Sequence, residues 1–297
     1  MQRITQGMLG TQFLRNLNNN LKGMDNLQNQ MSTGRRLNKP SDDPVGISFS
    51  MRYRSEISAN EQYQTNTNSA TSWMSFTDTV MGQAGDVIQK LREMAVKASN
   101  GTNPQAALDT MKAEATQLYE QMVDIGNSQF NGKYVFNGEQ TNIRPYTLEN
   151  AVTEEADTGL IDFEIGVGVK MSVNVPGNRV FGEQTDTDNI FKITQDFIKA
   201  LGDGDFQAIN KGIGDFDSRM NKFLDVRADI GAKMNRIELM DERLKDINVN
   251  VTSLQSKTED ADMAAVITNL KVAENVYQAS LSTGAKIIQP TLVDFLR

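Results

Sequence analysis

The sequence predicts a mainly α protein. We expect a long antiparallel helical coiled-coil rod made from the N- and C-terminal segments, with a small β-rich domain inserted in the middle. Apolar residues recur at alternating spacings of three and four over long stretches near both ends. Apolar residues also occupy every second position from Ile161 to Val175, which is the period of a strand with one buried face. Only 7% of residues are aromatic and there is one tryptophan, which disfavours a large compact core.

The first helix has an apolar stripe that suits packing against a partner helix. Gly34 is expected to end this helix, because glycine readily adopts the left-handed conformation of a helix stop. The loop from Arg35 to Asp43 follows. Asp43 and Pro44 then predict a new helix start, with the carboxylate as N-cap and the proline in the first turn. The residues of the stripe are Leu14, Leu17, Leu21, Met24, Leu27 and Met31.

The next two helices are predicted over 44–98 and from about Pro104 to Gly126. The seam of the first of them runs from Tyr63 to Ala98 in steps of three and four residues, with polar Asn66 and Thr77 within it. Asn103 and Pro104 repeat the start signal of Asp43 and Pro44.

The pattern changes after Phe130. The Asn-Gly pairs at 131–132 and 137–138 are typical of tight hairpin turns. In the alternating stretch, Gly166 and Gly168 lie on the face opposite the apolar residues, where a bulge or a tight turn would bend the strand.

Helical periodicity resumes near Thr187. The longest pattern begins at about Asp205, and its stripe runs from Ile209 to Thr258. Fifty helical residues span about 75 Å, so such a helix needs partner helices to bury its stripe. Arg227 and Asp241 interrupt the stripe, and we expect them either to fix the helix register or to face neighbouring subunits. A last amphipathic segment begins at Met263. Its stripe includes Leu270, Tyr277, Leu281, Ile288, Leu292, Phe295 and Leu296.

These boundaries predict five segments. They are an N-terminal assembly helix and loop (1–43), the ascending part of a helical rod (44–129), a β-rich outer domain (130–186), the returning part of the rod (187–258) and a C-terminal assembly helix (259–297).

The composition argues against an enzyme. The chain has no cysteine and no histidine, so thiolate and imidazole chemistry is excluded, whether as nucleophile, general base or metal ligand. A carboxylate pair or a Ser–Lys pair remains possible, but no local motif indicates either. An enzyme housed in the β-rich region would have only free carboxylates to work with. Asp203-Gly204-Asp205 resembles part of a calcium loop but lacks the spacing and the closing glutamate. We therefore expect no catalytic residues, no metal and no cofactor.

Charge and hydropathy argue against two further kinds of partner, nucleic acid and a membrane. With 38 acidic and 30 basic residues, the chain has no basic excess with which to bind nucleic acid. No apolar run approaches the roughly 18 residues of a membrane span. The first twenty residues lack the apolar core of a cleavable signal peptide, so secretion would need another route.

Two segments near opposite ends of the chain resemble the terminal signatures of flagellins and their junction relatives. The first reads Met-Ser-Thr-Gly-Arg-Arg-Leu-Asn-Lys-Pro-Ser-Asp-Asp-Pro-Val-Gly over 31–46, and the second reads Glu-Asp-Ala-Asp over 259–262. The resemblance covers roughly the first 140 and the last 110 residues. The opening at 1–5, the stretch 132–138 and the ending at 277–296 are most similar to the junction relatives within that family.

The resemblance implies a structural subunit of the bacterial flagellum that couples hook to filament. Its terminal helices would form an inner coiled-coil layer shared with neighbouring copies, and the β domain would face outward. It implies contacts with the preceding hook-associated protein and with flagellin, and an export chaperone before secretion. The protein would leave the cell uncleaved through the flagellar type III export apparatus.

Two alternatives to a junction subunit remain at this stage. A filament-forming flagellin would carry the same terminal signatures. An intracellular coiled-coil adaptor would explain the heptads equally well.

Overall fold

The computed structural model describes residues 6–287 and consists mainly of long helices, which confirms the predicted fold class. The helices are α1 (Gln6–Thr33), α2 (Pro44–Ala98), α3 (Gln105–Gly126), α4 (Gly177–Phe181), α5 (Ile190–Asp203), α6 (Phe206–Glu259) and α7 (Met263–Ile287). The strands are β1 (Gln129–Phe130), β2 (Lys133–Tyr134), β3 (Asp162–Gly166) and β4 (Val169–Ser172). The predicted starts and ends of α2, α3 and α6 agree with these bounds to within about two residues, whereas α4 was not predicted.

The chain divides into two compact units. The first, which we call the terminal unit, comprises 1–59 and 247–297, and the second, the central unit, comprises 60–246. In the terminal unit, α1 packs along α7. The two helices are antiparallel, because Ala261 at the start of α7 donates to the Gly34 carbonyl at the end of α1, while Gly284 near the other end of α7 contacts Phe13.

The central unit has one main hydrophobic core. Side chains from α2, α3, α5 and α6 meet there at the predicted 3-4 positions, such as Val87 and Leu91 of α2 and Phe216 and Phe223 of α6. Four buried rings from the loops and short helices close one side of this core by stacked, tilted and edge-to-face contacts. These rings are Phe136, Tyr146, Phe181 and Phe191.

The β-structure consists of two antiparallel hairpins. Asn131 and Gly132 form the β1–β2 turn with φ angles of 52° and 76°, as the Asn-Gly pair predicts. The alternating stretch forms the β3–β4 hairpin, with an irregularity between Glu164 and Gly166 and Val167 exposed at the turn. The other apolar residues of this stretch are buried or half-buried and pack on α2 and α6, as the period-2 pattern predicts.

Polar residues on the predicted helix seams mostly bond within the chain. Arg227 of α6 forms an ion pair with Asp78 of α2, with Nε 2.8 Å from Oδ1. Asn66 donates to the Glu164 carbonyl of β3 at 2.8 Å, and Asp241 pairs with Lys245 one turn away on α6. For Arg227 and Asn66, these bonds favour the interpretation that seam polar groups fix how neighbouring elements align.

Candidate subunit-assembly site

The inner surface of the α1–α7 pair is a short antiparallel coiled-coil seam. The inward positions of both helices follow the same 3-4 spacing, and several of them are small, which allows the two backbones to approach closely. On α1 these positions are Gly10, Phe13, Leu17, Asn20, Met24 and Leu27. On α7 they are Val266, Leu270, Ala273, Tyr277, Ser280 and Gly284.

Phe13 and Gly284 fit each other at one end of this seam. The ring of Phe13 occupies the place where a Cβ on residue 284 would stand. Glycine at 284 is therefore a packing requirement, even though glycine in a helix interior is otherwise unfavourable. Neither residue was predicted from the sequence, because neither a glycine nor a single phenylalanine stands out in a leucine-rich stripe.

The predicted assembly stripe of α1 divides into two parts. Leu17, Met24 and Leu27 are half-buried on the seam with α7. The other three predicted residues remain exposed in the chain. They are Leu14, Leu21 and Met31, with exposed fractions of 54%, 42% and 40%.

The predicted stripe of α7 divides in the same way. Leu270 is buried and Tyr277 is half-buried on the seam, whereas Leu281 is 45% exposed. The last four predicted residues lie outside the described residues. They are Ile288, Leu292, Phe295 and Leu296.

Further apolar side chains on the pair are exposed and were not part of the predicted set. A protein that stays a monomer rarely leaves so many large apolar groups in water on one helix pair. The additional residues are Met8 and Leu9 on α1, and Met263, Ile267, Val272 and Val276 on α7.

The two signature segments meet in the structure beside this helix pair. Arg35 and Asp260 form an isolated antiparallel bridge, in which the Arg36 amide donates to the Glu259 carbonyl at 2.6 Å. The Arg36 guanidinium also donates to the Thr258 carbonyl at 3.1 Å. Segments more than 200 residues apart in sequence therefore form one joint.

Glu259 is the buried anion of this joint. Its side chain is 2% exposed and accepts both guanidinium bonds of Arg54, with Nε 2.8 Å from Oε1 and Nη2 2.7 Å from Oε2. Ser50 also donates to this carboxylate, and Arg35 lies 3.4 Å away. Burial raises the pKa of Glu259, but the hydrogen bonds from Arg54, Ser50 and Gln255 outweigh it and lower the pKa to about 2.

The loop between α1 and α2 is ordered by its own polar groups. Gly34 has φ of 69° and donates to the Gln30 carbonyl, so it ends α1 as predicted. Asp43 caps α2 as predicted, since its Oδ1 accepts from the amides of Val45 and Gly46 at 3.1 and 3.0 Å. Asp42 accepts from two loop amides, and these bonds lower its pKa.

A membrane-spanning helix and a cluster of metal-binding side chains are both absent from the described residues. Within residues 6–287 no helix is long and apolar enough to cross a bilayer. The same part of the chain contains no group of three or more acidic side chains placed to hold a metal ion.

Two family models match the two parts of the chain that carry the terminal signatures. The model of the bacterial flagellin N-terminal helical region matches residues 4–141, and that of the bacterial flagellin C-terminal helical region matches residues 213–296. Together they cover most of the chain, with α1, α2 and α3 in one match and α7 in the other. The chain belongs to the flagellin family.

Individual relatives include junction and filament proteins. Flagellar hook-associated protein 3 of Escherichia coli is 26% identical over 300 residues, which cover 94% of each chain. The flagellar filament 33 kDa core protein of Treponema phagedenis is 26% identical over 92% of this chain and 91% of its own. The crystal structure of the flagellar junction protein from Legionella pneumophila shares the fold with a TM-score of 0.59 at 16% identity, over 73% of this chain and 100% of that one.

Proposed function

We propose that this chain is a structural subunit of the bacterial flagellum that joins the hook to the flagellin filament. The observation that carries the proposal is the match to the Escherichia coli hook-associated protein 3, which covers 94% of each chain. The exposed apolar residues on α1 and α7 supply the physical means, because helices of neighbouring subunits can cover them in an assembly.

The five-segment division expected from the sequence fits this role. In the proposal, segments 1–43 and 259–297 carry assembly, while the β-rich segment 130–186 faces outward. The partners are neighbouring copies of the chain, the preceding hook-associated protein, flagellin, and an export chaperone before secretion. Heterologous contacts that do not close on themselves between two subunits suit such an adaptor.

The proposal places the protein outside the cell. It would be exported through the flagellar apparatus without a cleavable signal peptide and would act mechanically rather than as an enzyme. The chain has no cysteine and so forms no disulfides, which is compatible with a protein that acts outside the cell.

A filament subunit is the second candidate function. The match to the Treponema phagedenis core protein, at the same identity and almost the same coverage, favours it. The two functions differ in where the chain sits, since a filament subunit is distributed along the whole filament and a junction subunit only at its base.

Immunogold electron microscopy of isolated flagella separates the two. An epitope tag inserted at the β3–β4 turn, where Val167 is 87% exposed, should be accessible to antibody. Gold confined to the boundary between hook and filament supports the junction function. Gold along the filament contradicts it and supports the filament subunit.

A further inference from the structure

The central unit contains an aromatic surface cavity that the proposed assembly helices do not explain. It has a volume of about 520 Å³, within the range of sites that take a ligand or a partner side chain. Trp73 and Phe130 meet edge to face in its wall with ring centroids 5.8 Å apart. The side chains of its wall include Ser69, Ser72, Trp73, Phe130, Ile161 and Phe163.

The rim of this cavity favours a cationic guest. Glu139 lies on the rim, and Asp157 lies beside it, because its carboxylate accepts from the Glu139 amide at 2.7 Å. Lys133 is the basic residue among the cavity-lining side chains. The whole central unit has 29 acidic and 18 basic residues, whereas the terminal unit has 9 and 12. The cavity therefore suits an apolar ring that carries a positive charge beside it.

The terminal unit presents a group of this kind on α2. Phe49 is 45% exposed and is the only aromatic residue among the large apolar side chains exposed in the described part of the chain. The Arg52 guanidinium lies over its ring at 5.9 Å, and Tyr53 stacks against it at 6.4 Å. Arg52 forms no ion pair with any described residue, so its charge is available to a partner.

We propose that, in the assembled flagellum, the aromatic cavity of one copy receives Phe49 and Arg52 of a second copy. The ring enters between Trp73 and Phe163, and the guanidinium pairs with Glu139 at the rim. The contact is heterologous, with different surfaces on the two copies, so it propagates from subunit to subunit. This inference rests on the proposed function, because it needs copies of the chain to lie side by side.

Cross-linking between introduced cysteines tests the contact. Because the chain has no native cysteine, only the introduced residues can react. Two differently tagged chains, Val45→Cys and Ser69→Cys, are expressed together in a deletion strain. Val45 is exposed one turn before Phe49, and Ser69 lies at the cavity. Isolated flagella are treated with a short bismaleimide, and the product that carries both tags is measured relative to the chain incorporated. Ser75→Cys, exposed on the same helix but outside the cavity, replaces Ser69→Cys as the matched control.

We expect the product with Ser69→Cys and little with Ser75→Cys. Phe49→Ala in the Val45→Cys chain should lower the yield about tenfold, the change in an equilibrium that corresponds to about 1.4 kcal/mol. Arg52→Glu in the Val45→Cys chain should lower the yield of the cross-linked product, and Glu139→Arg in the Ser69→Cys chain should lower it as well. The two reversals together should restore it, which separates a direct charge contact from misfolding.

Three outcomes overturn the inference. Equal yields with Ser69→Cys and Ser75→Cys, or yields that Phe49→Ala and both reversals leave unchanged, contradict the contact while the chain is present in flagella. A product with a different protein contradicts a second copy as the occupant. Absence of both chains from isolated flagella contradicts the proposed function as well, and is thereby distinguished from failure of the contact alone.

Discussion

At the scale of single residues, the joint between the terminal signatures depends on one buried carboxylate. Glu259 has Arg54 and Ser50 as direct partners, and its neighbours Thr258 and Asp260 bond the loop that follows α1. A buried anion without these donors would be strongly unfavourable, so the three side chains are required together. The segments 31–46 and 259–262 thus share a physical reason for their composition.

Glu259→Gln should loosen this joint by about 1–3 kcal/mol, since the amide leaves Arg54 without its anion. The measurement is hydrogen exchange at the amides of Arg36 and Ala261, which should be faster in the variant. Glu56→Gln, which makes the same chemical change at an exposed position of α2, is the matched control. Unchanged exchange in Glu259→Gln would contradict the role of this carboxylate.

The same residue predicts a pH dependence. Its pKa of about 2 in the folded chain lies below the ordinary value of 4.5, so its stabilising effect is complete above pH 4.5. The effect is lost as the pH falls from 4.5 to 2 and the carboxylate is protonated. The difference in amide exchange between the native chain and Glu259→Gln should therefore shrink over this interval. A difference as large at pH 2 as at pH 7 would show that the charge is not responsible.

Arg219 is a second buried charge, in the central unit. It is 1% exposed, and its Nη2 lies 3.3 Å from Asp188 and 3.6 Å from Asp186, which holds the loop before α5 on α6. Burial lowers the pKa of Arg219, and the two carboxylates oppose this. Arg219→Met should destabilise the unit by about 3 kcal/mol or more in urea unfolding followed by the fluorescence of Trp73. If the loss is below about 0.5 kcal/mol, the network does not hold the loop.

At the scale of elements, the α1–α7 pair shows what a 3-4 pattern can and cannot predict. Two apolar series overlap on α1 and share Leu17, Met24 and Leu27. The more apolar series, with Leu14 and Leu21, was predicted as the seam. The series with Gly10, Phe13 and Asn20 is the one that packs on α7. The sequence could not decide between them, because the choice depends on the small residues of the partner helix.

Some helix ends and one Asn-Gly hairpin turn were more predictable than the seam. Two local predictions were wrong: the N-cap of α3 is Pro104 and not Asn103, and the Asn137-Gly138 pair does not connect two strands. Gly34, Asp43 and the Asn131-Gly132 pair act through their own backbone conformation and local hydrogen bonds, so nearby sequence suffices. The Glu259 joint and the aromatic cavity depend on residues far apart in the chain. Nothing in the local pattern at Ser50, Arg54 or Trp73 indicates these partners.

The two faces of α1 predict different effects of the same substitution. Leu21→Asp alters an exposed side chain, so the α1–α7 pair should remain while incorporation into flagella is lost. Leu17→Asp buries a charge on the seam and should separate the pair itself. Asn18→Asp adds the same charge at an exposed polar position and is the control. The measurements are helicity by circular dichroism and the amount of chain in isolated flagella, and normal incorporation of Leu21→Asp would contradict an assembly role for this face.

A matched glycine pair tests the packing of α1 on α7. Gly284→Ala places a methyl group against the ring of Phe13, whereas Gly23→Ala has open space around it. Alanine at residue 23 should stabilise the helix by about 0.5–1 kcal/mol. At residue 284 the clash with the Phe13 ring should outweigh this gain, so that alanine destabilises the helix pair. Hydrogen exchange at the amides of α1 measures the change in stability that each substitution causes. Equal stabilisation by the two changes would contradict the observed contact between Phe13 and Gly284.

At the scale of the whole molecule, the chain combines an unfinished helix pair with a central unit that has its own core. Large apolar residues of α1 and α7 stay in water, and the central unit buries its aromatic rings internally. This division fits a subunit of the flagellum. The chain belongs to the flagellin family and matches hook-associated protein 3 over almost its full length. In the proposed function, the terminal unit is the part that assembly completes.

The most direct test of this account is the morphology of flagella in a strain that lacks the gene for this chain. The account predicts hooks without filaments and flagellin secreted as monomer into the medium, because the filament has no subunit on which to begin. Re-expression of the native chain should restore filaments. Intact filaments and normal swimming in the deletion strain would contradict a junction function.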